Sequence, residues 1–102
     1  MKTREELQTM LEEILGSKNV YHQEPPNTGM KYPCIVYKFN RPKVDKADNK
    51  PYIITGRWEI HHMYKNPKND LLTTFLFAAP YVTHENRIRH DGVYNDYYTI
   101  YQ

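Results

Sequence analysis

Cysteine is almost missing from this chain. Cys34 stands alone among 102 residues, which excludes an internal disulfide and any thiolate cluster for a metal. Long apolar runs are missing too. Nothing approaches the roughly 18 apolar residues that a membrane span requires, and Met1 to Glu6 has no apolar segment of the secretory kind, so synthesis and retention in a cytoplasm is the expectation. Nor is there a surplus of one charge: 14 Lys and Arg stand against 12 Asp and Glu, for a net +2 and a pI of about 8.6. Domains that bind nucleic acid more often carry clustered basic surface and a higher pI, so sequence-specific nucleic-acid binding is not expected.

Size and composition leave room for one domain, residues 1–102. The apolar fraction is 39%, below the usual ~45–50%, and ten Tyr supply much of it. Tyrosine combines large area with a polar tip. A chain rich in it and lean in Leu and Val suits half-buried positions and positions buried only against a partner.

Periodicity predicts the elements. Thr3-Arg4-Glu5-Glu6 is a capping box, and Leu7, Met10, Leu11, Ile14 and Leu15 follow as one apolar stripe, with Gly16 as the stop. The polar face of this helix is acidic, so packing on a sheet is favoured over lying on a membrane. Asn19 to His22 reads as a short strand, and Gln23 to Gly29 as a turn-rich loop. Pro33 to Phe39 reads as a strand with Cys34 and Val36 on one face and Ile35, Tyr37 and Phe39 on the other. Arg41 to Lys50 reads as a loop of mixed charge. Tyr52 to Tyr64 alternates over its whole length, with Trp58 and Ile60 on the richer face and Gly56 as an interruption. Asn66-Pro67 begins a second helix with the stripe Leu71, Leu72, Phe75, Leu76 and Ala79, ended by Pro80. His84 to Arg89 and Tyr94 to Tyr101 close the chain as a hairpin turning at Asp91-Gly92.

The expected order is therefore α-β-β-β-α-β-β. Without alternating βα units, the economical arrangement is an α+β domain of two layers, a mostly antiparallel sheet of about four to five strands against two helices. Leu7, Leu11, Ile14, Val36, Trp58, Ile60 and Phe75 are the expected core.

Chemistry is sparse. His61 and His62 are adjacent on a strand and point to opposite faces, so they cannot share an ion. His84-Glu85 lacks a second His one helical turn away, and His90 sits beside a turn. There is no phosphate-cradling glycine loop and no nucleophile elbow, and Cys34 lies inside an apolar strand. Asp45, Asp48 and Asp91 form no pattern beyond what charged loops produce. Arg57, Lys65, Lys68, Arg87 and Arg89 read as solvated surface. No enzyme activity, cofactor or metal is expected.

The stretch Met30-Lys31-Tyr32-Pro33-Cys34-Ile35-Val36-Tyr37, then Ala47-Asp48-Asn49-Lys50-Pro51-Tyr52, an alternating strand and a Tyr-rich C-terminus resembles the tail-terminator family of long-tailed phages, also called tail completion or tail-to-head joining proteins. The resemblance covers about residues 5 to 101. It implies a small α+β structural protein that forms a ring, in this family a hexamer, on the last ring of the tail tube and offers its other surface to the head connector or stopper protein. It implies a virion protein of the tail–head joint, assembled in the host cytoplasm. No membrane is involved, and any contact with DNA would be with the molecule passing through the ring lumen. On this reading Arg41, Lys43, Asp45, Lys46, Asp48, Asn49 and Lys50 form an assembly-interface loop. The alternative readings are a head-completion or connector protein, or a small nucleic-acid-associated binding module.

Overall fold

The computed structural model describes residues 4–23, 31–41, 43–47, 50–78 and 81–101. In chain order the elements are α1 (Arg4–Leu15), β1 (Val20–His22), β2 (Cys34–Phe39), β3 (Lys43–Ala47), β4 (Lys50–Thr55), β5 (Arg57–Tyr64), a 3-10 turn (Pro67–Asn69), α2 (Leu72–Ala78), β6 (Val82–His90) and β7 (Val93–Tyr101). The fold is α+β. Two helices accompany a five-stranded sheet of order β1-β2-β5-β7-β6, and β3 and β4 pair as a separate two-stranded sheet. The main sheet is antiparallel except where β1 runs parallel to β2.

Register explains the core. Across β2 and β5, Tyr37 faces Ile60 and Phe39 faces Trp58; across β5 and β7, Ile60 faces Tyr98 and Trp58 faces Ile100. Side chains of directly opposed residues share a face, so these positions build one apolar surface. Leu7 and Leu11 of α1 and Phe75 of α2 cover it, and Val20 and Ile35 complete the buried cluster. Each such side chain contributes about 1.5–3 kcal/mol on burial. Ile14 packs against the cluster at half burial. The Gln8 amide of α1 donates to Val20 O at 3.1 Å, and Tyr37 donates its hydroxyl proton to Gln8 Oε1, pinning the helix over β1 and β2.

Local signals hold at the caps. Gly16, at φ 79°, ends α1 with its amide donating to Glu12 O at 2.9 Å. The expected capping residue Thr3 lies outside the described residues. Asp91 (φ 50°) and Gly92 (φ 76°) supply the two left-handed positions of a two-residue hairpin turn between β6 and β7.

Three expectations are corrected. First, Arg41 to Lys50 is not a loop, because Lys43, Asp45 and Lys46 lie in β3, Lys50 opens β4, and Lys43 pairs with Thr55 and Ala47 with Lys50. Asp48 and Asn49 lie outside the described residues. The alternation from Tyr52 to Tyr64 consequently belongs to two strands in two sheets, divided at Gly56. A strand's periodicity does not reveal its partner, and β4 pairs with its own sequence neighbour. Second, Val36 is not in the core. It is half-buried, on the face opposite Ile35 and Tyr37, because both helices cover only one side of the sheet. Third, the second helix begins late. Asn66 Oδ1 accepts from the Lys68 amide at 3.0 Å and caps only the 3-10 turn. Asp70 Oδ1 then accepts from the Leu72 amide at 2.9 Å to start α2. In this register Phe75 is buried and Leu71 and Leu72 are half-buried, while Leu76 is 52% and Phe77 88% exposed. Ala79 and Pro80 lie outside the described residues.

Candidate functional site

Interior chemistry gathers on β7, where Asp96 occupies the helix-covered face between Tyr94 and Tyr98 and is fully buried. Arg87 of β6, its cross-strand partner, donates from Nε to Oδ1 at 2.6 Å and from Nη2 to Oδ2 at 3.1 Å. The Tyr64 hydroxyl donates to Oδ2 at 2.8 Å, and His84 Nε2 lies 3.5 Å from Oδ1. Arg87 Nη2 also reaches Asp70 Oδ2 at 2.9 Å. One guanidinium thus joins the sheet edge, a buried carboxylate and the residue that caps α2.

Burial alone would push the Asp96 carboxyl upward. The hydrogen bonds from Arg87 and Tyr64 and the Arg87 charge outweigh it and hold the group below the usual carboxylate range. The same bond to Asp96 raises the Arg87 guanidinium. His62, fully buried and opposite Asp96 across β5 and β7, is pushed down by burial to about 4 and is a neutral ring stacked on Tyr64 at 4.6 Å. Asp96 is sealed from solvent and held by Arg87 and Tyr64, and Arg87 also bridges to Asp70, so this cluster is a clamp that ties α2 to the sheet. Among the described residues no group of three or more His, Cys, Asp and Glu is placed to hold a metal ion. Cys34 is fully buried, and burial pushes its thiol up to about 11.

Three surface features are suited to contact. The first is the face of the sheet that the helices leave open. There Gln23, Val36, Lys38, His61, Tyr97 and Thr99 line a concavity of about 390 Å³, with His61 stacked on Tyr97 at 4.4 Å and bonded to Asn95 Oδ1 at 2.8 Å. His61 and His62 therefore do point to opposite faces. The second is an apolar knob at the end of α2, where Leu76, Phe77 and, at 69% exposure, Tyr81 are exposed. The third is the hairpin β3–β4. It is inserted between Asn40 and Arg57, whose backbones join at 2.9 Å where β2 and β5 would otherwise meet in a tight turn. The described residues extend 50 Å on the longest axis against 24 and 23 Å, with a radius of gyration of 14.6 Å where a compact domain of this length has about 13 Å.

Of the residues expected at an assembly interface, Lys43, Asp45, Lys46 and Lys50 are therefore brought together on one hairpin, with Arg41 at its base. The Asp96 clamp and the α2 knob were not foreseen. The first had a signal, since Asp96 alternates in phase with Tyr94, Tyr98 and Ile100 and a carboxylate on a buried face requires a buried partner. The knob had none, because Leu76 and Phe75 look alike until the start of α2 is fixed. No helix among the described residues is long and apolar enough to cross a membrane. Compared with known proteins, the chain matches no family model and no curated protein.

Proposed function

We propose that this chain is a structural virion protein of a long-tailed phage, a tail terminator that caps the tail tube as a ring, in this family of six copies, and presents its other surface to the head connector. It performs no catalysis, needs no cofactor, and works at the tail–head joint after assembly in the host cytoplasm. The reading rests on the pattern Met30 to Tyr37 and Ala47 to Tyr52, and the observation that carries it is the hairpin β3–β4. A two-stranded hairpin is marginal in water by itself. An insertion that forms its own sheet beside a complete five-stranded one gains little for its own fold and is well placed to pack on a neighbour. The exposed Leu76, Phe77 and Tyr81 are of the same kind, apolar surface suited to burial in an assembly.

The test follows from the geometry. Replacing residues 41–56 by Asn-Gly closes β2 directly onto β5 through a two-residue turn. The expected outcome is a folded, monomeric variant beside an intact chain that forms rings in negative-stain images. In the phage the variant gives overlong tails and unjoined heads. An intact chain that stays monomeric even with tail tubes added, or an armless variant that supports normal particles, overturns the reading.

A further inference from the structure

Five buried side-chain polar atoms among the described residues have no hydrogen-bond partner within the chain, and three of them sit on two neighbouring rings: Nδ1 and Nε2 of His62 and the hydroxyl of Tyr98. Such groups are rare, because a buried donor or acceptor left unpaired is costly. His62 is 0% and Tyr98 1% exposed. Across β5 and β7, His62 faces Asp96 and Tyr98 faces Ile60, so the two residues are diagonal neighbours, about 7–8 Å apart, on the face that the helices cover. Tyr98 is stacked on Phe75 of α2 at 4.3 Å, with His84 tilted against it at 5.0 Å, and His62 is stacked on Tyr64. Packed in this way, neither ring can turn its polar edge to solvent.

The neighbouring clamp has nothing left to offer them. Asp96 Oδ1 meets Arg87 Nε and His84 Nε2, and Oδ2 meets Arg87 Nη2 and the Tyr64 hydroxyl, which takes up the roughly four acceptor sites of a carboxylate. Burial lowers His62 and raises the Tyr98 hydroxyl, so both are neutral at pH 7, and the same three charged groups, Asp96, Asp70 and Arg87, act on both. A neutral imidazole has one N–H and one bare nitrogen, and a phenol hydroxyl both donates and accepts. A cation held there would leave the donors unpaired, and an anion would leave the bare nitrogen unpaired. Water both gives and takes, and a buried water makes about three hydrogen bonds to polar groups of this kind.

From this geometry we infer that ordered water is built into the seam between α2 and the sheet, with one molecule bridging a ring nitrogen of His62 to the Tyr98 hydroxyl. The Asp96 clamp holds the charged groups under α2, and the water holds the neutral ones. The site belongs to the folded subunit, so its fate is separate from that of the ring reading.

A high-resolution crystal structure of the intact chain tests it directly. Solvent density is expected within hydrogen-bond reach, about 2.5–3.2 Å, of both the Tyr98 oxygen and one His62 nitrogen. Density that reaches only one of them, a protein group or an ion in its place, or no density, overturns the inference. Two variants give an independent reading in solution: Tyr98→Phe, which removes one oxygen, and His62→Phe. With water in the seam, each alone strands a polar partner and lowers the urea midpoint, while the double variant loses less than the two single losses combined. Water-oxygen magnetic relaxation, which counts waters of long residence, should lose at least one in the double variant. In a dry seam Tyr98→Phe instead relieves an unpaired hydroxyl and raises the midpoint. That rise, strictly additive losses, or an unchanged water count overturns the inference as well.

Discussion

Replacing Asp96 by Asn keeps shape and removes charge, and should cost the domain about 2–4 kcal/mol. Asp96 accepts from Arg87 at 2.6 and 3.1 Å and from Tyr64 at 2.8 Å with no solvent access. An amide in its place brings an N–H₂ against Arg87 or Tyr64, so at least one donor loses its acceptor. A charge-assisted bond is worth about 1.5–3 kcal/mol, and removing one partner of a buried pair costs about 3–5 kcal/mol. The Arg87 side chain is 38% exposed and can turn to water, which lowers the upper figure. A domain of this length has about 5–15 kcal/mol in total, and each kcal/mol moves the midpoint by about 4–8 °C, so the melting temperature should fall by about 8–30 °C. Urea titrations followed by circular dichroism measure the loss. Because Arg87 also holds the α2 cap through Asp70, hydrogen exchange at α2 should speed up more than exchange in β2. A variant within about 1 kcal/mol of the parent, or with α2 unaffected, refutes the clamp.

His62 sets an acid limit. Its folded value, about 4, lies below the 6.5 of an unfolded His, so the unfolded chain gains a proton first and stability falls as pH drops from about 6.5 to 4, by up to about 3 kcal/mol. His62→Phe, which keeps the stack on Tyr64, should flatten that part of the stability–pH curve; an unchanged slope contradicts the assignment. Asp96, held low, adds a second loss at still lower pH, as the medium falls through its folded value. Leu11→Ala should cost about 2–5 kcal/mol, because Leu11 is fully buried where α1 meets the sheet, and a melting curve matching the parent would exclude the two-layer core. Cys34 should resist a thiol reagent at pH 8 in the native protein and react at once in urea; fast native labelling would show the strand to be open.

Features that depend on neighbours along the chain are legible in the residues themselves. The α1 stripe, the Gly16 stop, the Asp91-Gly92 turn and the opposite faces of His61 and His62 all follow from spacing and from backbone freedom within a few residues. So did the α+β class, since two amphipathic helices and several alternating strands without βα repeats have few ways to bury their apolar faces. Matters of partnership are settled by long-range pairing alone. Lys43–Ala47 looks like charged loop because nothing local says that Lys50–Thr55 will pair with it. Tyr52 to Tyr64 looks like one strand because period two is the same in either sheet. Val36 looks like core because β-branched residues suit either face, and only the placement of both helices on the other side leaves it half-covered. Asp96 is the converse case. Its phase on β7 put a carboxylate on the buried face, but the Arg87 beside it, the Tyr64 across β5 and the Asp70 that caps α2 come together only when the sheet is assembled. Periodicity fixes which way a side chain points, and long-range pairing fixes what it meets.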